Sequence, residues 1–323
     1  MFDRDPTSLI VQAARLYHES RLTQPEIAKR LKVSQSRVSR WLAEAERVGI
    51  VRTIVVAPEG THPDLEDRVC ERYGLSQVVV VEAADDAQSV EFALGGAAAR
   101  YLETTLEDGA RMGISSYSAT LMATVEAMVP LRKRKVDQVV QVMGGNGRPD
   151  VQVQATRLAD RLARLTGADP TFLPTPGIVA SASTRDALLR DPLVQNVAGA
   201  WDRLTDLVLG IGSLAPSPLL AHSGNSASEA EMQQLREAGA VGDVAMRYFD
   251  CFGQPVESEL DDRVVGISAS ALRGVPRRIG VAGGLRKSEA IKGAILGGWI
   301  NVLITDHATA LYLTDQADEQ RPV

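Results

Sequence analysis

Serine, glycine, lysine and aspartate residues follow several apolar segments of this 323-residue chain, in patterns that suit the binding of a small polar molecule. The segment GISSYSAT places Ser115, Ser116 and Ser118 between an apolar run and a helical pattern. One of these serines is expected to cap the helix, because a serine hydroxyl can satisfy the free backbone N–H groups of a helix start. The others could hold sugar hydroxyls or a phosphate.

A second candidate site follows the apolar run that ends in Gly283 and Gly284. A helical pattern starts within three residues, and the free backbone N–H groups of a helix start attract anions. Lys287 would add a positive charge, although the same residues could form an ordinary glycine turn beside a solvated lysine. We expect a phosphate or another anionic group here. Gly144 and Gly145, which end another apolar run, would similarly let a ligand approach the backbone closely.

Three aspartates stand at the ends of apolar segments. Carboxylates suit sugar hydroxyls, because each carboxylate oxygen accepts two hydrogen bonds. We expect Asp243 to face the ligand. Asp250 is better explained as a turn residue, and Asp306 as the cap of the last helix. Alternatively, Asp243 could be the general base of an enzyme, but no histidine except His307 falls within these segments, which weakens an acid–base mechanism.

Other site chemistries have no support in the sequence. No segment matches the dinucleotide-binding fingerprint or the Walker A loop, so we expect no cofactor. The segment GIGS at 210–213 lacks the context of a hydrolase nucleophile. Two cysteines and four histidines, at 70 and 251 and at 18, 62, 222 and 307, show no zinc-ligand spacing, so no metal site is expected.

The elements that would position these residues alternate between helix and strand from residue 63 onward. Expected strands include 110–114, 171–174 (TFLP) and 263–268 (RVVGIS). Strands separated by helices imply crossover connections and a mostly parallel sheet. Such sheets bind ligands at the carboxyl ends of their strands, where the strand order reverses. This α/β, Rossmann-like part would follow an all-α domain at the N-terminus.

The N-terminal segment 22–48 reads as two short helices joined by a tight turn. Thr23 and Glu26 form a capping-box pattern for the first helix, and Ser34 can cap the second. Apolar residues recur at helical spacing in both, as in a helix-turn-helix, although Lys32 stands where the turn usually has a glycine. A preceding helix is expected over 8–20, capped by Asp5 or Thr7, and a short strand over 50–56.

The second of these helices is the candidate DNA-recognition helix. Its apolar side chains, among them Val38, Trp41 and Leu42, are needed for packing. The remaining polar residues near its start are the candidate DNA contacts, with base reading expected from Gln35, Ser36, Ser39 and Arg40 and a phosphate contact from Arg37. Residues 1–58 carry ten Lys/Arg and six Asp/Glu, a net charge of +4, which leaves −10 on residues 59–323. A basic face on an acidic body favours binding to phosphates.

Together these segments resemble the SorC-type sugar-binding transcriptional regulators over residues 8–315. The resemblance is carried by TQPEIAKRLKVSQSRVSRWLAEAERVGIV, GISSYSATL, VVQVMGG, DLVLGIGS, GAVGDVAMRYFD, VAGGLRKSEAIKGAI and NVLITDHATA. It implies an effector domain similar to sugar-phosphate isomerases and deaminases without their activity, with the serine loop, Gly144, Gly145, Asp243 and Lys287 in the effector pocket. GISSYSATL departs from the commoner family pattern by loss of a tryptophan. Met143 stands where a lysine would be needed for a Schiff base, so covalent capture of a sugar is not expected.

The expected organisation is therefore a helix-turn-helix domain at 1–58 and a sugar-binding effector and oligomerisation domain at 59–323. The expected partners are double-stranded operator DNA and a small carbohydrate, sugar phosphate or polyol, and the resemblance implies a homotetramer built as a dimer of dimers. The alternative is an isomerase or deaminase, which has no reason to carry the N-terminal unit. No apolar run suits a membrane span or signal peptide, and the few cysteines fit the cytoplasm.

Overall fold

The computed structural model describes residues 6–51, 60–84, 86–131, 136–145, 149–215, 220–221, 223 and 226–315, with the backbone alone for 6 and 149–155. The chain divides into two compact units, Met1–Pro58 and Glu59–Val323. Each unit has its own apolar core.

The described part of the first unit, residues 6–51, contains three helices, α1 (Pro6–His18), α2 (Gln24–Leu31) and α3 (Gln35–Arg47). Helix α1 begins and ends two residues before the predicted bounds. Thr7 therefore lies within the helix rather than capping it, and Asp5 lies outside the described residues. The core between the helices contains apolar residues from all three: Ala13, Ile27, Ala28, Val38 and Leu42. This burial stabilises the helices, since short helices are marginal on their own.

The turn between α2 and α3 has a left-handed residue without a glycine. Lys32 takes φ 56° and ψ 47°, and its N–H bonds to the carbonyl of Ala28. At the other end of α2, the Glu26 carboxylate accepts hydrogen bonds from the N–H and hydroxyl of Thr23, at 2.8 and 2.7 Å. The predicted capping box is therefore present. Gly49, at φ 76°, follows the last residues of α3 as predicted.

The second unit contains the helices α4 (Pro63–Tyr73), α5 (Ala87–Thr105), α6 (Ala119–Ala127), α7 (Pro149–Thr166), α8 (Ala182–Leu189), α9 (Pro192–Trp201), α10 (Glu229–Glu237), α11 (Ala269–Gly274), α12 (Ser288–Leu296) and α13 (His307–Asp315). Its strands are β1 (Gln77–Val81), β2 (Arg111–Ile114), β3 (Gln138–Gln141), β4 (Asp169–Thr171), β5 (Asp206–Gly210), β6 (Gly212–Ser213), β7 (Ala240–Val244), β8 (Arg247–Asp250), β9 (Arg277–Val281) and β10 (Val302–Asp306).

Seven of these strands form a parallel sheet in the order β1-β10-β9-β5-β2-β3-β4. The chain runs outward from β2 through β3 to β4, and then outward in the other direction from β5 through β9 to β10. The order therefore reverses between β2 and β5, which are adjacent. Successive residues of β5 alternate between two apolar cores, Leu207 and Leu209 in one and Val208 in the other, because neighbouring side chains point to opposite faces. The sheet is thus covered on both faces.

A second, antiparallel sheet contains β6, β7 and β8. Its β7–β8 hairpin, within AVGDVAMRYFD, differs from the expectation from sequence, which contained no hairpin here. Ala245 and Met246 turn it with φ 52° and 62°, the left-handed pair typical of a tight hairpin turn.

Two predicted strands differ from the structure. The predicted strand at 263–268 is wrong: Val264 and Gly266 make isolated bridges, to Ile178 and Met143, within an irregular segment. Its residues therefore bridge two different segments instead of pairing along one strand. The strand predicted at 171–174 begins earlier, at Asp169. Most of the predicted strand at 50–56 lies outside the described residues, and Ile50 and Val51 are not in a strand.

Candidate functional site

A cavity opens at the carboxyl ends of β2 and β5, where the strand order reverses. The residues 115–120 that follow β2 form one of its walls, and the residues 210–213 that run from the end of β5 through β6 form another. Its volume is about 120 Å³. Because about 10–15 Å³ suffices for one water molecule, the cavity has room for a small polar molecule.

The three predicted serines all line this cavity, but their hydroxyls do different things. Ser118 caps α6, since its Oγ accepts a hydrogen bond from the N–H of Leu121 at 3.2 Å. Ser115 Oγ accepts a hydrogen bond from the N–H of Gly210 at 3.3 Å and so ties the two walls together. Ser116 is 8% exposed, and its Oγ has no hydrogen-bond partner among the described residues. An unpaired buried hydroxyl costs free energy, which a ligand hydroxyl would recover.

Asp243 enters the cavity from β7. Its Oδ2 accepts a hydrogen bond from the N–H of Met246 at 3.0 Å, which fixes the carboxylate against the hairpin turn. Gly212 pairs with it on β6, and a Cβ there would lie 2.0 Å from Asp243 Oδ1, so only glycine fits beside the carboxylate. Burial raises the pKa of Asp243 to about 6, and the Met246 N–H and Lys287 charge oppose this rise.

Lys287 is the only cation among the described residues that line the cavity, and Glu91 adds a second carboxylate to Asp243. Burial lowers the pKa of the Lys287 ammonium, while the charges of Asp243 and Glu91 act in the opposite direction. Lys287 ends a short 3₁₀ helix, Leu285–Lys287, immediately before α12.

In the glycine turn before Lys287, a backbone N–H group already donates hydrogen bonds to side chains of the protein. The Gly284 N–H donates to Asp306 Oδ2 at 2.6 Å and to Thr309 Oγ1 at 3.0 Å. Asp306 also caps α13, as predicted, by accepting a hydrogen bond from the Thr309 N–H at 3.0 Å. The backbone N–H of Gly284, expected to attract an anion, is therefore already paired. The predicted turn role of Asp250 is present as well, since its Oδ1 accepts hydrogen bonds from the N–H groups of Phe252 and Gln254.

Gly144 and Gly145 do not belong to the described cavity lining, although Met143 does. A Cβ on Gly144 would lie 2.1 Å from the carbonyl oxygen of Pro176, so its close backbone approach is to another part of the protein. The Gly145 carbonyl accepts a hydrogen bond from the Tyr117 hydroxyl at 2.7 Å. The two glycines thus lie behind the wall of the cavity.

Two tyrosines that are not among the predicted site residues also line the cavity. Tyr117 sits between the serines with φ 61°, a conformation that side chains other than glycine rarely adopt. Tyr248 pairs with Asp243 across the β7–β8 hairpin, and burial together with the Asp243 charge raises the pKa of its hydroxyl. Tyr117 could have been predicted as a cavity residue, because it stands between the candidate serines in GISSYSATL. Tyr248 could not, because its place beside Asp243 depends on the unpredicted hairpin.

The predicted DNA contacts share one exposed surface of α3. Gln35, Ser36, Arg37, Ser39 and Arg40 are exposed, while Val38 and Leu42 are buried in the core of the first unit. The Arg37 guanidinium lies 5.4 Å from the centre of the Trp41 ring, a cation–π contact that holds it along the helix. Arg40 Nε donates to the Ser36 carbonyl at 3.3 Å.

Comparison with known proteins places both units. Residues 59–314 match the family described as "Putative sugar-binding domain", and residues 9–50 match the homeodomain-like domain HTH_23. The chain belongs to the SorC-type family of sugar-binding transcriptional regulators. A crystal structure of the full-length sorbitol operon regulator SorC from Klebsiella pneumoniae superposes with a TM-score of 0.72 at 26% identity, covering 97% of this chain and 100% of that one.

Two regulators have sequences similar to this SorC-type chain over almost their full lengths. The deoxyribonucleoside regulator of Bacillus subtilis is 31% identical, across 97% of this chain and 99% of its own. The erythritol catabolism regulatory protein EryD of Brucella abortus is 29% identical, across 98% and 99%. These relatives are regulators, so the α/β unit is a sugar-binding domain of a transcriptional regulator and not an isomerase or deaminase. Among the described residues, no helix is long and apolar enough to span a bilayer.

Proposed function

We propose that this regulator controls an operon for carbohydrate catabolism and that its effector is an uncharged sugar or polyol bound in the cavity at the reversal of strand order. One observation carries this proposal: Ser116 presents a buried hydroxyl, which has no hydrogen-bond partner in the described part of the chain, to the same cavity as the Asp243 carboxylate. Hydroxyl groups of a polyol would satisfy both, since each donates one hydrogen bond and accepts others.

The charges around the cavity favour an uncharged effector over a phosphate ester. Among its described lining residues, two carboxylates, Glu91 and Asp243, face one cation, Lys287. The Gly284 N–H, which could have supported a phosphate, is bonded to Asp306. In this proposal Lys287 donates a hydrogen bond to an effector oxygen and keeps Asp243 from carrying an uncompensated charge. Sorbitol and erythritol, which appear in the names of the related regulators, are uncharged polyols.

The remaining predicted residues have supporting roles in this proposal. Ser115 and Ser118 would contact the effector through oxygen lone pairs that their backbone hydrogen bonds leave free. Gly144 and Gly145 would act from behind the wall, where the Gly145 carbonyl holds the Tyr117 ring. If the effector orders the Tyr117 ring, the hydrogen bond from its hydroxyl to the Gly145 carbonyl would also order the segment after β3.

We propose that α3 reads the operator with Gln35, Ser36, Ser39 and Arg40, while Arg37 contacts a phosphate. The stacking of Arg37 on Trp41 supports this division, because a guanidinium held along the helix can meet the DNA backbone but is directed away from base edges. Two recognition helices of a dimer would lie about 34 Å apart, or a multiple of it, and the operator would be roughly palindromic.

We propose further that the active form is a homotetramer in the cytoplasm, where the operator is found. Subunit contacts in such an assembly would cover large apolar side chains of the second unit that are exposed in the single chain, such as Phe92 at 79% and Leu193 at 69%. Light scattering of the full chain at several concentrations tests the assembly, and a monomer or dimer that persists at every concentration would contradict it.

A thermal-shift screen tests the effector proposal. The panel contains erythritol, sorbitol, ribose and deoxyribose, together with the phosphate esters of each and inorganic phosphate as a control. We expect uncharged compounds to raise the melting temperature of the full chain, because a ligand that binds the folded state stabilises it. A shift given by the phosphate esters alone would contradict the uncharged effector.

A further inference from the structure

Two histidines and a glutamate meet at the edge of the sheet beside β1 and β10. Glu82 follows β1, His307 follows β10, and His62 precedes α4. Because Val81 pairs with Asp306 in the parallel register, Glu82 and His307 leave the two strands side by side. Their candidate donor atoms and that of His62 all lie within 4.8 Å of one another.

The contacts within this cluster are close. His62 Nε2 lies 2.8 Å from Glu82 Oε1, and the rings of His62 and His307 lie 4.5 Å apart between centres, tilted by 34°. His62 Nε2 is buried and makes no hydrogen bond with any described group, although Glu82 lies close to it. A simple ion pair between His62 and Glu82 would not need the second imidazole at this position.

We propose that His62, Glu82 and His307 bind a divalent transition-metal ion, with Zn²⁺ the best match. Two imidazole nitrogens and one carboxylate oxygen are a common donor set for zinc, at distances of about 2.0–2.2 Å, and leave a fourth position for water. Donors around one tetrahedral ion lie about 3.3 Å apart, which follows from those bond lengths. Small rotations of the three side chains reach this spacing from the present one.

The surroundings of the cluster suit an ion that enters from solvent. The Glu82 side chain is 57% exposed, whereas that of His62 is 19% exposed. The ion would therefore bind the Glu82 carboxylate first. It would then insert between this carboxylate and His62, so that both bind the ion instead of each other. The three residues are far apart in sequence, so only the fold brings them together, and no local spacing of histidines could have predicted the site.

A metal here would hold two functional segments at a fixed separation. His62 opens the second unit, close to the division after Pro58. His307 follows Asp306, whose carboxylate holds the Gly284 N–H three residues before Lys287. The ion would thus join the start of the sugar-binding domain to the loop that carries the cavity lysine.

Zinc binding to the chelator-treated full chain, measured by isothermal titration calorimetry with ZnCl₂, tests the site. We expect one ion per chain, and at least about 10–100-fold weaker binding in His62→Gln and His307→Gln, since even partners outside the ligand set contribute that much. Glu82→Gln keeps the shape of the side chain but removes its negative charge, and it should also weaken Zn²⁺ binding. His18→Gln, which removes a histidine from α1, is the matched control and should bind as the wild type does.

Cobalt absorption provides a readout that does not depend on the variants folding equally well. Co²⁺ added to the wild-type chain should give the intense visible bands of a four-coordinate site, and Zn²⁺ should abolish them by displacement. Absence of these bands together with absence of stoichiometric Zn²⁺ binding would overturn the proposal. Equal Zn²⁺ affinity in the wild type, His62→Gln and His307→Gln would overturn it as well.

Discussion

The Gly210 N–H donates a hydrogen bond to Ser115 Oγ across 3.3 Å and so joins the ends of β5 and β2. These two strands are neighbours in the sheet but belong to the two halves of the chain path, which run outward in opposite directions. The bond therefore ties together two walls of the cavity at the position where open parallel sheets bind ligands. Ser116 and Ser118, which follow immediately, are then directed at the cavity and at the start of α6.

The contrast between these neighbouring serines gives a first prediction. Ser116→Ala should reduce the thermal shift given by the effector but leave the unliganded chain at least as stable as the wild type, because its hydroxyl has no hydrogen-bond partner among the described residues. Ser118→Ala should lower the free energy of unfolding by about 1 kcal/mol, the usual cost of losing a helix cap. Chemical denaturation with and without the effector measures both. A stability loss in Ser116→Ala as large as that in Ser118→Ala would contradict the assignment of the free hydroxyl.

Asp243 predicts a pH dependence of stability. Burial raises its pKa from 3.8 to about 6, so the native state holds this proton more tightly than the unfolded state does. Ionisation of Asp243 therefore destabilises the native state relative to the unfolded state. This loss of stability is absent below pH 3.8, grows as the pH rises, and is complete above about pH 6, where it corresponds to roughly 3 kcal/mol. Asp243→Asn should therefore be more stable than the wild type at pH 8, by up to that amount, and the gain should shrink as the pH falls. If the stability difference between Asp243→Asn and the wild type stays constant with pH, it does not arise from ionisation of Asp243.

The same carboxylate predicts how effector binding varies with pH. A carboxylate accepts hydrogen bonds from sugar hydroxyls better when it is ionised, so affinity for an uncharged effector should rise as the pH increases through about 6. Calorimetric titrations from pH 5 to 8 measure this slope. Asp243→Asn should bind more weakly and show a flat profile, whereas a wild-type profile in the variant would place the pH dependence elsewhere.

Lys32 offers a test of the turn in the DNA-binding unit. Its φ of 56° costs an ordinary side chain about 1–2 kcal/mol, which glycine avoids. Lys32→Gly should therefore slow hydrogen exchange of the amides in α2 and α3 relative to the wild type. Lys32→Ala removes the same charge but keeps a Cβ, so it should give no such protection. Equal protection in both variants would attribute the effect to charge instead of backbone conformation.

The two arginines of α3 should affect DNA binding differently. Arg40→Ala should weaken operator binding by about 1–3 kcal/mol and so reduce discrimination between operator and unrelated DNA, without changing the effector's thermal shift. Arg37→Ala should weaken binding to all sequences alike and reduce the salt dependence by about one counterion. Anisotropy titrations at several salt concentrations separate these effects. Exchanged behaviour of the two variants would reverse their assigned roles.

Local sequence patterns were sufficient for much of the fold. The capping box of Thr23 and Glu26 and the helix cap at Asp306 are short-range features, since their partners lie three residues away. The parallel sheet followed from the alternation of apolar runs with helices. The segment at 263–268 shows the limit of this reasoning, because Val264 and Gly266 are buried like strand residues while they bridge two different segments.

The cavity was predicted less completely, because its remaining parts depend on long-range contacts. Pairing of the Gly284 N–H with Asp306 could not be predicted from the glycine turn alone, since the carboxylate comes from a neighbouring strand. Tyr248 reaches the cavity because it lies in the β7–β8 hairpin. The mixed polarity of the residues in AVGDVAMRYFD did not indicate that hairpin. The cluster of His62, Glu82 and His307 likewise exists only after β1 and β10 have paired.

The most direct test of the central claim is an operator-binding titration. Fluorescence anisotropy of labelled operator DNA would follow the response of the wild type and Ser116→Ala to the uncharged compound that gives the largest thermal shift. We predict that both proteins bind the operator equally without effector, and that Ser116→Ala needs at least about tenfold more effector for the same change in affinity, as loss of one hydrogen bond implies. An identical half-maximal effector concentration for the two proteins would contradict effector binding at this cavity.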